Sequence, residues 1–348
     1  MTVQIPDFSA ISGAAVSRAL AGRRRQVVDI VEAAYLAHDR AETVNPPSYF
    51  LRFPDAPHNR IIALPASIGG ATGVAGLKWI SSFPGNVAEG VPRASAVLVL
   101  NDLETGYPFA CLESSIISAA RTAASAALAA RTIGAARPRP TRLGIFGAGL
   151  IARYVSDYLS AVGFRFDEIG VHDLSPEHAD SLATHLRTTA DRVVVDPTPE
   201  SLIRSSDLVL FATTAATPHV SDPDWFAHHP LVLHVSLRDL SPEVILSATN
   251  VVDDIDHCLK ADTSVHLVEQ RTGSRDHVHA TLAQALTGRF TAPADATVVF
   301  SPFGLGVLDL AVATFVHRQA TETGTATPIP DFFHERHRHG EGPRGKAP

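Results

Sequence analysis

The stretch that most limits the fold is RLGIFGAGLIARYVSDYL, Arg142 to Leu159. Its apolar run Leu143 to Phe146 predicts a strand that passes straight into Gly147-Ala148-Gly149-Leu150-Ile151-Ala152 and then into an amphipathic helix. Gly147 permits the tight turn, Gly149 lets backbone N–H groups approach a pyrophosphate, and small Ala152 lets the helix pack close to the strand, with the phosphate at the helix N-terminus. A G-x-G-x-x-A spacing alone is weak; here the required strand precedes it and the required helix follows. A second predicted strand, EIGVHD, ends in Asp173 a little over twenty residues on, where an acid meets the adenosine ribose. No arginine follows it immediately, which favours NAD over NADP because a carboxylate repels a 2′-phosphate. The plainer role for Asp173 is an acidic charge at the start of the next helix.

The pattern continues from about Thr141 to Phe300 as short apolar runs alternating with helical stretches: RLGIF, EIGVHD, RVVVD, LVLFATT, LVLHVSL and NVVDDI. Continuous runs of this length suit strands buried on both faces of a parallel sheet. The expected fold class is therefore α/β, with a Rossmann-type doubly wound parallel sheet. Ser175-Pro176-Glu177 and Ser241-Pro242-Glu243 each supply a capping hydroxyl, a proline at the first helical position and an acid in the first turn. Ligands in such sheets sit at the carboxyl ends of strands. Thr213, Thr214 and Ser236 are thus expected beside the nicotinamide, and Asp239 directly follows an apolar strand, where desolvation would raise its pKa and suit it to proton transfer. Capping the helix near Ser241 is the alternative for Asp239. Asp253, Asp254 and Asp256 read as a surface turn rather than a metal site.

Before this unit, residues 1 to about 112 mix one helix with short strand-like runs (RIIALPA, GVAGLKWI, ASAVLVLND) broken by Gly and Pro, an α+β pattern. The linking stretch SIISAARTAASAALAAR, Ser115 to Arg131, reads as a buried helix of small residues with Arg121 at its middle. A guanidinium there is costly without a partner; it holds either a ligand carboxylate or a structural salt bridge. GVLDLAVATFVHRQ, Gly306 to Gln319, is helical again and most economically returns to the first domain. The expected division is residues 1–130 and 304–322 as a discontinuous α+β domain, 131–303 as the NAD-binding domain, and 323–348 as a flexible, Pro-, Gly- and His-rich tail.

Other classes are disfavoured. A formal net charge of −7 argues against nucleic acid. Apolar runs such as Leu231 to Leu237 fall far short of the roughly 20 residues that span a bilayer. Cys111 and Cys258 cannot build a disulfide framework, and MTVQIPDFSA has no signal-peptide character, so cytoplasm is expected.

The Gly147 motif, the helix carrying Arg121-Thr122-Ala123-Ala124, GVAGLKWI with Lys78 and the strand end with Asp239 together resemble the ornithine cyclodeaminase/μ-crystallin family over about residues 10 to 320. YFLRFPD, GVAGLKWISSFPGN, PRASAVLVLND, SLRDLSPE, VVDDIDH and SPFGLGVLDLAVA are most similar to its branch of N-(2-amino-2-carboxyethyl)-L-glutamate dehydrogenases, which serve 2,3-diaminopropionate biosynthesis for siderophores or peptide antibiotics. The resemblance implies an NAD-dependent enzyme in which Arg52, Lys78 and Arg121 clamp a substrate α-carboxylate, a geometry the planar arginine fork suits. It implies that Lys78 also positions water and that Asp239 is the catalytic acid/base. Cofactor contacts are implied for Thr122, Gly147, Ala148, Gly149, Leu150, Ile151, Asp173, Thr213, Thr214, Ser236 and Gly304. One departure from the cyclodeaminases is Leu237-Arg238 in place of glycines before the aspartate. Arg238 suits a substrate with extra carboxylates and repels the side-chain ammonium of ornithine. The resemblance further implies that the first domain, 1–130 with 304–322, binds substrate and forms a homodimer, that the substrate is an amino acid, and that no metal is used. A cyclodeaminase, alanine dehydrogenase, ketimine reductase or non-enzymatic NAD(P)H-binding protein of the same fold are the alternatives.

Overall fold

The computed structural model describes residues 5–70 and 72–334. Among these, eight strands form one parallel sheet in the order Arg192–Val195, Glu168–His172, Arg142–Phe146, Leu208–Phe211, Leu231–His234, Val298–Ser301, Thr249–Val252 and Val278–Thr281. Leu208–Phe211, Leu231–His234 and Val298–Ser301 are buried at every position, which is why they lack the alternation of a one-sided sheet. The strand order reverses between Arg142–Phe146 and Leu208–Phe211, leaving a crevice at their carboxyl ends. The two Ser-Pro-Glu helices begin as expected: the Ser175 and Ser241 hydroxyls accept from the His178 and Val244 N–H groups, with Pro176 and Pro242 in the first helical positions. Two strands go beyond the six expected. Val298–Ser301 slots between the fifth and sixth, and Val278–Thr281, too short and polar to stand out as a pattern, closes the edge.

The second sheet is built on a meander of Arg60–Ile68, Val74–Ser82, Ala94–Asp102 and Pro108–Glu113. Tyr49–Arg52 and Thr43–Val44 pair with its first strand. Register sorts the side chains into two faces. On one, Leu64, Lys78, Leu98 and Leu112 lie in a row across the sheet. Helix Gly306–Glu322 packs on this sheet and on helix Arg24–Asp39, so the chain does return to its first part after the parallel unit. On the opposite face Tyr49, Ala63, Trp79 and Val97 form a row, with Tyr49 75%, Trp79 39% and Val97 45% exposed.

Helix Ser115–Ile133 joins the two units, packing on Arg24–Asp39 on one side and on Leu150–Ala161 of the parallel unit on another. Its run of alanines lets both neighbours approach, and the Glu113 carboxylate accepts from the Ser115 N–H at 2.7 Å at its start.

Two expectations are corrected. The segment expected to be a flexible tail begins as structure: Thr327–Pro328 pairs antiparallel with Ser9–Ile11, and the Phe332 ring stacks on Phe8 at 3.8 Å. Most of the His-rich run His334 to Gly340 lies outside the described residues. Of the aspartates after the sixth strand, Asp256 lies on the surface as expected, but Asp253 and Asp254 do not. Asp253 is 2% exposed and accepts from the backbone N–H groups of Phe303 at 2.9 Å and Gly304 at 2.7 Å. Asp254 caps helix Ile255–Cys258 and meets the rings of His38 and His257. Buried backbone donors needing acceptors explain this placement better than solvent does.

Candidate active site

Lys78 and Arg121 meet on one carboxylate that no sequence pattern singled out. Asp309 lies in the first turn of helix Gly306–Glu322 and is fully buried. It accepts from Lys78 Nζ at 2.7 Å and from Arg121 Nε at 3.1 Å, and Lys78 also donates to Ser118 Oγ at 3.3 Å. Two buried cations thus share one anion. A helix N-terminus supplies partial positive charge that suits Asp309 there. Burial lowers the Lys78 ammonium; Asp309 opposes this and Arg121 adds to it, leaving the group at about 8. The signal for Asp309 was available, since an aspartate interrupts the apolar run GVLDLAVATFV.

Arg121 therefore makes the structural salt bridge that its position allowed. Its Nε is engaged by Asp309, while its two terminal nitrogens lie against Gly304. A Cβ on Gly304 would collide with Arg121 Nη1, and its φ of +93° is itself a glycine conformation. Gly304, expected at the cofactor, is thus placed against the Arg121 guanidinium.

Asp239 follows strand Leu231–His234 across a short turn and is fully buried, with partners on both oxygens. Oδ1 meets His219 Nε2 at 3.1 Å and accepts from Thr213 Oγ1; Oδ2 meets His234 Nε2 at 3.2 Å and accepts from Ser236 Oγ. Burial alone would raise this carboxyl, as its position after an apolar strand suggested. The hydrogen bonds from His219, His234 and Ser236 outweigh burial and hold it well below the usual carboxylate range. Two imidazoles that no strand pattern announced contribute most to the reversal. Thr213 and Ser236, expected at the cofactor, direct their hydroxyls to Asp239. His219 is the outward member of the group, with 39% of its side chain exposed.

The dinucleotide turn has the geometry its glycines implied. Gly147 has a φ of +86°, and a Cβ there would lie 2.5 Å from the Ala212 carbonyl oxygen. Gly149 caps helix Leu150–Ala161 without a side chain, and a Cβ there would meet nothing within 4 Å. Leu150 is half-exposed at the helix start and Ile151 partly buried behind it. This open helix N-terminus fits a pyrophosphate. Asp173 accepts from the Ala148 N–H at 2.7 Å and the Ser175 N–H at 2.8 Å, which fixes it beside the turn. Thr122 follows Arg121 on the linking helix, and Thr214 follows Thr213 at the strand end.

Arg52 does not join Lys78 and Arg121 on Asp309. It is exposed at the end of strand Tyr49–Arg52, across from Arg60. Arg238 donates to the Ala261 carbonyl at 3.2 Å through Nε, with Leu237 before it at a φ of +77°. Among the described residues no group of three metal-ligating side chains is assembled.

Residues 15–324 match the ornithine cyclodeaminase/μ-crystallin family. The chain belongs to that family. It is 30% identical over 322 residues, 88% of this chain and 94% of the other, to N-((2S)-2-amino-2-carboxyethyl)-L-glutamate dehydrogenase of Staphylococcus aureus. Its fold superposes with a TM-score of 0.85 on Thermococcus litoralis Δ1-pyrroline-2-carboxylate reductase in complex with NADH and L-proline, at 23% identity, covering 92% of this chain and 100% of that one. An archaeal alanine dehydrogenase dimer with bound NAD gives a TM-score of 0.83 at 24% identity, covering 94% and 100%. Membership gives the crevice between the two units of this cyclodeaminase-family chain a common architecture with those proteins; which substrate it takes depends on its own side chains.

Proposed function

We propose that this member of the family is an NAD-dependent dehydrogenase acting on N-(2-amino-2-carboxyethyl)-L-glutamate. The products are 2,3-diaminopropionate, 2-oxoglutarate and NADH, the diaminopropionate serving a siderophore or peptide antibiotic. The observation that carries this reading is the cation content of the candidate site residues. Arg238 directly precedes the buried acid, and the Lys78–Arg121 pair carries one positive charge more than Asp309 balances. Such a site favours a substrate with several carboxylates over one bearing a side-chain ammonium. The similarity to the Staphylococcus aureus enzyme over most of both chains supports the same choice.

Bound NAD supplies the hydride acceptor; it would be held by the Gly147–Gly149 turn and Asp173. Arg121 and Lys78 clamp the α-carboxylate of the glutamate moiety, the two terminal nitrogens of Arg121 being the ones Asp309 does not engage. The secondary amine must lose a proton for its α-carbon to release hydride. Asp239, held ionised, orients His219, and the proton leaves along that pair toward solvent. Loss of hydride and proton leaves a C=N bond in the substrate. Water adds to its carbon, and C–N cleavage gives the 2-oxo acid and the primary amine, with Lys78 near enough to neutral pH to exchange a proton with the attacking water.

The enzyme acts in the cytoplasm as a homodimer. The exposed row Tyr49, Trp79 and Val97 on the free sheet face is the surface that a second copy would cover. Among the described residues no helix is long and apolar enough to cross a membrane.

The test mixes the protein with NAD and N-(2-amino-2-carboxyethyl)-L-glutamate and follows NADH absorbance, with ornithine run in parallel. NADH and 2-oxoglutarate in equal amounts, lost in Asp239→Asn, are expected. Proline and ammonia from ornithine, with no NADH from the glutamate adduct, would overturn the reading.

A further inference from the structure

Four arginines lie near one another with few acids to balance them. Cross-strand register places Arg52 opposite Arg60 and Arg60 opposite Ser82, all on the sheet face that carries Lys78. Arg93 reaches the same row from the next strand's start, its Nη1 donating to Ser82 Oγ at 2.6 Å. Arg238 of the parallel unit, bound to the Ala261 carbonyl, is near enough to act on Arg60 electrostatically. Burial lowers the Arg60 guanidinium, and Arg238, Arg93 and Arg52 each lower it further. Burial also lowers Arg238; Asp262 and Asp239 oppose this and Arg52 adds to it, which ties the row to the catalytic aspartate. Among the described residues none of the four makes a salt bridge, whereas Arg24, Arg121 and Arg142 each hold a carboxylate within 3.1 Å. Holding four like charges near one another without a salt bridge is unfavourable and persists where a ligand supplies the counter-charge.

We propose that Arg60 and Arg93, with Arg52 and Arg238, form a second anion subsite that takes the carboxylates of the substrate other than the α-carboxylate held by Lys78 and Arg121. This rests on the dehydrogenase reading for the chemistry but not for the binding. Ser82 lies four residues along the strand from Lys78, about 13 Å at roughly 3.3 Å per residue. The subsite requires the long arginine side chains to turn inward on binding, which would narrow that gap to the span of a dicarboxylate. The subsite makes the enzyme specific by requirement: an amino acid lacking the second carboxylate leaves the cluster unbalanced and binds poorly. Arg60 and Arg93 are specificity-determining residues, remote from the reacting bond.

The subsite is tested by binding, apart from turnover. The enzyme–NADH complex is titrated with 2-oxoglutarate and with 2-oxobutyrate, which keeps the oxo acid but lacks the second carboxylate, using NADH fluorescence. Wild type is expected to prefer 2-oxoglutarate by more than about tenfold, the equivalent of one charge-assisted contact. Arg60→Gln and Arg93→Gln each lower 2-oxoglutarate affinity about tenfold and leave 2-oxobutyrate affinity and NADH affinity unchanged. Equal weakening of both oxo acids would assign the arginines a structural role, and unchanged 2-oxoglutarate affinity would remove them from the site; either overturns the proposal. If the variants lose 2-oxoglutarate selectively while wild type fails to oxidise the glutamate adduct, the subsite stands and the dehydrogenase reading falls. If both variants oxidise the adduct normally and bind 2-oxoglutarate as wild type does, the dehydrogenase reading stands and the subsite falls.

Discussion

Asp309 Oδ2 lies 2.7 Å from Lys78 Nζ, joining a helix from the end of the chain to a strand from its beginning. Oδ1 of the same carboxylate holds Arg121, so the removal of one acid strands two buried cations. Breaking a buried ion pair from one side costs about 3–5 kcal/mol. Asp309→Asn is therefore expected to lower stability by about that amount in urea unfolding. A change below about 0.5 kcal/mol would show that the cations find water or other partners, and that Asp309 does not hold the domain together.

Lys78 gives a pH signature. Its ammonium is lowered by burial to about 8 in the free enzyme, so the charged form that attracts a carboxylate is present below that pH and lost above it. The value of kcat/KM, which reports the free enzyme, should fall as pH rises through about 8. Lys78→Arg keeps its charge throughout and should remove that descending limb, whatever its effect on the plateau. If the limb is unmoved, it belongs to another group. The same shift acts on stability: the unfolded lysine binds its proton more tightly, so the cost of burying Lys78 is full below about 8 and is relieved as pH rises from there toward the unfolded value.

The parallel unit was legible because its information is local. A strand, the Gly147 turn and a helix follow one another within eighteen residues, and the Ser-Pro-Glu starts carry their own caps. The pairing of Lys78 with Asp309 spans 231 positions and has no local pattern. Asp239 shows a similar limit. Its place at a strand end was readable, whereas the sign of its pKa shift depends on His219 and His234, whose rings meet it only after the strand and loop are folded. Arg121 was readable as a buried charge needing a partner, but not which of its nitrogens that partner would take.

Gly304 separates two roles. A Cβ there would press on Arg121 Nη1 and require an unfavourable φ of +93°. Gly304→Ala should displace the guanidinium, raising KM for the amino-acid substrate at least about tenfold, as expected for loss of a charge-assisted contact. The dissociation constant for NAD should change little. A fall in NAD affinity with an unchanged KM would instead place Gly304 at the cofactor.

The last prediction concerns the free sheet face. Tyr49, Trp79 and Val97 stand in one row across three strands, and an exposed apolar row of this kind is unfavourable in water unless a partner covers it. A charge in its centre would have to be buried unpaired at a dimer interface, which costs far more than the same change on a solvated surface. Trp79→Asp and Val97→Asp are each expected to convert the proposed dimer to monomer in sedimentation at micromolar concentration. Their far-UV spectra should stay unchanged, because the row lies opposite the face that packs on helix Gly306–Glu322. Dimers that survive both substitutions would move the interface elsewhere, and a wild-type monomer would remove the reason for the exposed row altogether.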